Sequence, residues 1–96
     1  MHTPTEIEAI VRRTDGQQID IPAECQAEAA EVAATWCEAG RSDLHRLRQY
    51  GFGEDVPLWR QQIILRCVGK LARSANLRLA SAAARALDAL SLRKGQ

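Results

Sequence analysis

The chain has 96 residues, of which 46% are hydrophobic and 26% charged, a composition that is ordinary for a globular domain. Its longest apolar run is far shorter than the ~20 residues that cross a bilayer, and its first residues lack the basic-then-apolar order of a signal peptide. We therefore expect one soluble domain over residues 1–96, located in the cytoplasm and without a membrane partner.

Charge is distributed unevenly along the chain. Residues 1–43 carry nine acidic side chains against three arginines, a net charge of −6, whereas residues 44–96 carry ten basic side chains against three acidic ones, a net charge of +7. Such asymmetry indicates an acidic partner, self-association of two copies, or compensation within the molecule.

The first predicted helix begins near Thr3 and ends near Arg13. Thr3 and Glu6 have the spacing of a capping box, Pro4 suits the first helical position, and apolar side chains then recur at helical spacing. Residues 15–16 indicate a turn. Residues 17–21 alternate weakly, and we expect an extended connection there because nothing else in the chain offers a strand partner.

The second predicted helix begins at Pro22 and ends near Ala39, with Gly40 as its C-terminal cap. The third is a short helix that Ser42 caps at its N-terminus and Gly51 ends. Acidic side chains lie on the outer face of the second helix, and arginines lie on that of the third. The side chains expected to face the core are Cys25, Ala29, Val32 and Trp36 on the second helix, and Leu44, Leu47 and Tyr50 on the third.

The fourth predicted helix covers residues 56–75 and is the most apolar segment of the chain. Its apolar side chains span roughly 220° of the helix circumference, wider than a surface helix needs, so we expect it at the centre of the fold. Residues 74–76 interrupt the pattern, and Asn76 caps a fifth helix that ends near Leu92. Since good helix formers dominate, we predict an all-α fold, a compact bundle of four to five helices. Two stacked α-hairpins fit the same pattern.

No residue pattern specifies a reaction, a cofactor or a metal site. His45 stands alone in the predicted helices, and no catalytic signature surrounds any cysteine. The chain has three cysteines, Cys25, Cys37 and Cys67. Their odd number and wide spacing argue against a disulfide framework or a zinc site and favour three small buried side chains. We therefore predict a protein that is not an enzyme and that takes no cofactor.

The uncovered side of the fourth and fifth helices is the strongest candidate binding surface. It is basic, and Trp59 is expected at its head; Trp and Arg are the residue types most enriched at binding hot spots. We predict a small adaptor, regulator or inhibitor that binds an acidic surface of another protein there. The predicted partner-binding residues are Trp59, Arg66, Lys70, Arg73, Arg78 and Arg85.

Other interpretations fit the same residues. Trp59 follows a glycine-rich connection, where Phe52 or the first helix would cover it, and the basic side chains would then form an ordinary solvated face. Nucleic-acid binding through the basic C-terminal half is the alternative function, because arginines outnumber lysines eleven to two and bind phosphate through a bidentate fork. A pI near 7.8 is low for a nucleic-acid-binding protein.

Self-association is a third hypothesis. A row of three acidic side chains in the second helix and a row of three basic side chains in the fourth have the same spacing, four residues and then three. Each row lies opposite the expected core face of its own helix. The rows would therefore meet between two copies of the chain and not within one copy. Exposed ion pairs contribute only about 0–1 kcal/mol each, so a homodimer also needs apolar burial. The rows are Glu24, Glu28 and Glu31 in the second helix, and Arg66, Lys70 and Arg73 in the fourth.

Overall fold

A computed structural model describes residues 19–53 and 55–94 of the chain, and in these residues the fold is all-α, as predicted. A 3₁₀ turn, Ala23–Cys25, leads into the first of four α-helices, and the described residues contain no strand. The helix predicted to begin at Thr3 lies outside the described residues. The helices are α1 (Gln26–Cys37), α2 (Arg41–Tyr50), α3 (Leu58–Ala72) and α4 (Leu77–Lys94), which correspond to the second to fifth predicted helices.

The packing of these helices alternates along the chain. α1 packs against α3, α2 packs against α4, and α3 and α4 pack against each other across a short connection. The principal packing pairs among the described helices do not include α1 with α2. The order across the molecule is therefore α1, α3, α4 and α2. Of the two hairpins that consecutive helices could form, α1 with α2 and α3 with α4, the principal packing pairs of the described helices include only α3 with α4.

The core lies around α3 and α4. The largest fully buried side chains are Leu44 of α2, Val68 of α3 and Leu87 of α4, each exposed by 1% or less. α3 carries the longest set of buried residues, in accord with the central position expected from its wide apolar arc. On α1, Ala29 and Val32 are buried as predicted.

Several helix ends differ from the sequence-based expectation. Gly40 does not end α1 but caps the N-terminus of α2: its φ is −92°, and its N–H donates to Oδ2 of Asp43 at 3.0 Å. This contact starts α2 at Arg41, one residue before Ser42. α3 begins at Leu58, after Pro57, and α4 extends to Lys94, beyond the predicted end near Leu92.

Two predicted boundaries are confirmed by their hydrogen bonds. Gly51 ends α2 with a φ of 72°, in the region that favours glycine, and its N–H donates to the carbonyl oxygen of Leu47 at 2.8 Å. Asn76 caps α4, since its Oδ1 accepts a hydrogen bond from the N–H of Leu79 at 3.3 Å.

Two aromatic side chains lie on the opposite side from the one expected. Tyr50 is 74% exposed and does not face the core. Trp59 is only 7% exposed, so the prediction that it heads the uncovered strip is wrong. At 100° per residue, Trp59 lies close to Ile63, one turn later, and this flank of α3 faces α1. The same packing places Arg66 at the edge of the α1 contact, where it is half-buried.

Candidate functional site

A groove between α2 and α4 is lined by all three arginine side chains of α2. It encloses about 440 Å³, and the half-buried Ala82 contributes apolar surface to it, whereas Leu44, which also lines it, is fully buried. Leu44 and Leu47 hold α2 against α4, and the residues between them in the sequence turn outward. We call this site the arginine groove. Its lining residues are Arg41, Ser42, Leu44, His45, Arg46, Arg48, Ala82 and Arg85.

The arginine groove has a strong positive charge. Guanidinium groups remain charged at any physiological pH, so four arginines contribute four fixed positive charges to one concave surface. Arg41, Arg46 and Arg85 are all exposed. Asp43 is the one acidic residue of α2, and its Oδ2 atom accepts the Gly40 N–H at the start of the helix; on α4, Asp88 lies one turn after Arg85. Concave surfaces of one sign concentrate the field that attracts an oppositely charged ligand.

A second cleft lies between α1 and α3 and is mainly apolar. It encloses about 510 Å³, with Ile19 and Ile21 of the incoming chain on one side and Ile63 of α3 on the other. Arg66 and Lys70 lie at its edge. Two thiols, those of Cys37 and Cys67, also line it, and we call it the dithiol cleft.

The two thiols of this cleft are in contact. The Sγ atoms of Cys37 and Cys67 are 3.3 Å apart, and either thiol can donate a hydrogen bond to the other. Of the three cysteines predicted to be buried, Cys67 is buried, Cys25 is only half-buried, and Cys37 is exposed, so the prediction is wrong for Cys37. Burial, followed by the hydrogen bond with Cys37, raises the pKa of the Cys67 thiol to about 12, against a smaller opposing effect of Lys70 and Arg66.

The six residues predicted to bind a partner do not form one surface. Arg85 lines the arginine groove, and Arg66 and Lys70 line the dithiol cleft. Arg73 and Arg78 are exposed near the connection between α3 and α4 and line neither cleft. Trp59 is buried in the core.

The sequence-based prediction missed the contribution of α2 to the arginine groove. Arg41, His45 and Arg48 follow one another at helical spacing on one face of α2, and this signal was present in the sequence. Their proximity to Arg85 depends on the packing of α2 against α4, which connects helices that are not consecutive in the chain.

The charged rows expected to pair between two copies lie on neighbouring helices of one chain. α1 packs against α3, and an ion pair joins them: Oε1 of Glu28 lies 3.1 Å from a terminal guanidinium nitrogen of Arg60. Arg60 is not a member of the predicted basic row, so pairing of the two rows between two copies stays a prediction. The two side chains are 50% and 42% exposed, so this pair contributes at most about 1 kcal/mol.

No protein-family model, curated protein or solved structure matches this chain. Among the described residues, no helix combines the length and the apolar character needed to cross a membrane. The same part of the chain has no group of three or more His, Cys, Asp or Glu side chains placed to hold a metal ion.

Proposed function

We propose that this protein is a non-enzymatic interaction module and that it binds an acidic segment of another protein in the arginine groove. The observation that supports this proposal is the convergence of Arg41, Arg46, Arg48 and Arg85 from two helices on one groove. A guanidinium group binds a carboxylate through two parallel hydrogen bonds, so such a groove suits aspartate and glutamate side chains. The sequence-based prediction of an acidic partner is retained, but its proposed site moves from the uncovered side of α3 and α4 to the groove between α2 and α4.

The dimensions of the groove favour a short peptide segment over nucleic acid. A volume of about 440 Å³ holds a few side chains, whereas a nucleic-acid backbone needs a basic surface that continues over several phosphates. The exposed acidic side chains of α1 oppose such an extended surface, and the overall pI is near 7.8. The exposed arginines Arg73 and Arg78 near the connection between α3 and α4 are the feature that a nucleic-acid ligand would use instead.

Two charge-matched variants distinguish these ligands. Arg41→Glu/Arg85→Glu reverses two charges inside the groove, and Arg73→Glu/Arg78→Glu reverses two charges outside it. The probes are a fluorescent polyglutamate peptide and a fluorescent DNA duplex, titrated by anisotropy at low salt. Since a hydrogen bond to a charged group contributes about 1.5–3 kcal/mol, the groove variant is expected to lose roughly tenfold or more in peptide affinity.

The control variant determines how the result is interpreted. The Arg73→Glu/Arg78→Glu protein is expected to bind the peptide nearly as well as the wild type, and circular dichroism verifies that both variants are folded. Equal losses in the two variants would mean that only net charge matters, which contradicts a groove-specific site. Stronger binding of the duplex than of the peptide, weakened by either variant and lost steeply with salt, would favour the nucleic-acid function. Absence of peptide binding by the wild type would end the proposal.

A further inference from the structure

The thiol pair of the dithiol cleft joins a buried and an exposed cysteine. Cys67 lies in the middle of α3, which is the central helix of the core, and its single thiol proton can alternatively be donated to the carbonyl oxygen of Ala33 at 3.6 Å. Cys37 is the last residue of α1 and is exposed. One thiol is therefore fixed by the surrounding core, while the other lies at the end of a helix, in contact with solvent.

Small side chains on α1 explain how the two sulfur atoms come so close. Ala29, Ala30 and Ala33 line the cleft on the α1 side, so the backbones of α1 and α3 can approach each other. A disulfide requires a sulfur–sulfur distance of about 2.0 Å, so the sulfur atoms must approach by roughly 1.3 Å from their distance of 3.3 Å. The end of a helix can supply such a small displacement, since the residue after Cys37 already leaves the helix.

We propose that Cys37 and Cys67 form an oxidation site, at which a hydroperoxide converts the two thiols to a reversible intramolecular disulfide. This inference is independent of the arginine groove, to which neither cysteine contributes a side chain. It departs from the expectation drawn from the sequence, where 30 positions separate the two cysteines and no disulfide was predicted.

The reaction proceeds in two balanced steps. In the first step, the Cys37 thiol loses its proton to solvent, and the thiolate sulfur attacks one oxygen of the peroxide, which breaks the O–O bond. Cys37 becomes a sulfenic acid, and the other oxygen leaves as an alkoxide or hydroxide that takes up a proton. The sulfur of Cys67 then attacks the sulfenic sulfur, so that an S–S bond forms, an S–O bond breaks, and the displaced hydroxide leaves as water with the proton of Cys67. The two thiols give up two electrons, and the peroxide accepts them.

The different environments of the two thiols determine their order. A thiol must become a thiolate to attack a peroxide, and burial disfavours the thiolate of Cys67. Cys37 is open to solvent, so the peroxide reaches it first. Cys67 is the resolving thiol, because its sulfur already lies beside the sulfur that it must attack.

The experiment uses the full chain carrying Cys25→Ser, which leaves only the two thiols in question. Hydrogen peroxide is added to the reduced protein, followed by denaturation, alkylation and intact mass measurement. Both free thiols are expected to disappear with the loss of two hydrogens in mass, and a trypsin digest should yield the segment 14–41 linked to the segment 67–70. Dithiothreitol should restore both thiols.

A second variant tests the order of the two steps. Cys67→Ser is added to the Cys25→Ser protein, or Cys67→Ala if the hydroxyl disturbs the core. Dimedone should then label a sulfenic acid on Cys37, which does not accumulate in the Cys25→Ser protein because Cys67 resolves it. Three results would overturn the proposal: retention of both thiols after peroxide treatment, a disulfide between the Cys37 residues of two chains, or equal dimedone labelling with and without Cys67. The first two results are obtained with the Cys25→Ser protein alone, so they test the proposal even if the Cys67 variants fail to fold.

Discussion

A disulfide between Cys37 and Cys67 should stabilise the fold by an amount that follows from the length of the chain it closes. The two residues are 30 positions apart, so the cross-link removes about 12 cal/mol/K of loop entropy from the unfolded chain, equivalent to about 3.6 kcal/mol at 25 °C. Closing the sulfur–sulfur distance by roughly 1.3 Å introduces strain that subtracts from this value. We expect a net gain of about 2–3.5 kcal/mol for the oxidised form.

Thermal unfolding followed by circular dichroism measures this gain. For a domain of this size, 1 kcal/mol corresponds to a shift of roughly 4–8 °C in Tm, so oxidation should raise the Tm by about 10 °C or more relative to the same protein in dithiothreitol. Cys37→Ser provides the control, because it cannot form the bond and its Tm should not depend on the oxidant. If mass mapping shows the disulfide but the oxidised form gains less than about 1 kcal/mol, the argument that α1 and α3 accommodate the bond without distortion is refuted.

Two further predictions concern the reduced protein. Leu87→Ala should lower the free energy of unfolding, measured in urea, by about 2–5 kcal/mol, because the Leu87 side chain is only 1% exposed. Tyr50→Ala is the control and should change this free energy by less than about 0.5 kcal/mol, because the Tyr50 side chain is 74% exposed. Equal effects of the two substitutions would contradict the described core. The native state holds the Cys67 proton more tightly than the unfolded chain, so the stabilisation from this group is complete below about pH 9 and is lost as the pH rises toward 12. In dithiothreitol, the free energy of unfolding should therefore fall more steeply with pH over this range in the unsubstituted protein than in Cys67→Ala. The difference between the two slopes should be at most about 1.4 kcal/mol per pH unit. Identical slopes would show that the pKa of Cys67 is not raised.

The local features of this fold could be predicted from the sequence because they depend on neighbouring residues. Asn76 caps the helix that follows it, and the short segment before it interrupts the helical pattern. Val32 and Val68 occupy the apolar faces of their helices and are buried. The wide apolar arc of α3 predicted its central position, since a helix that is apolar on most of its circumference needs neighbours on more than one side.

The partners of each helix could not be predicted, because several arrangements of amphipathic helices bury the same faces. The pairing of α1 with α3 decides that Cys37 meets Cys67. The pairing of α2 with α4 decides that Arg85 joins the arginines of α2 in one groove. Both candidate sites therefore arise from contacts between helices that are not consecutive.

The alternating pairing of the helices also has a consequence for how the chain folds. α3 and α4 are joined by only residues 73–76, so their contact closes the shortest loop and costs the least chain entropy. The contacts of α1 with α3 and of α2 with α4 each enclose a whole intervening helix and close later for the same reason. We expect the α3–α4 pair to be structured in the folding transition state, with α1 and α2 docking on its two sides afterwards. Substitutions in the interface of α1 with α3 should then accelerate unfolding, while substitutions between α3 and α4 should slow folding.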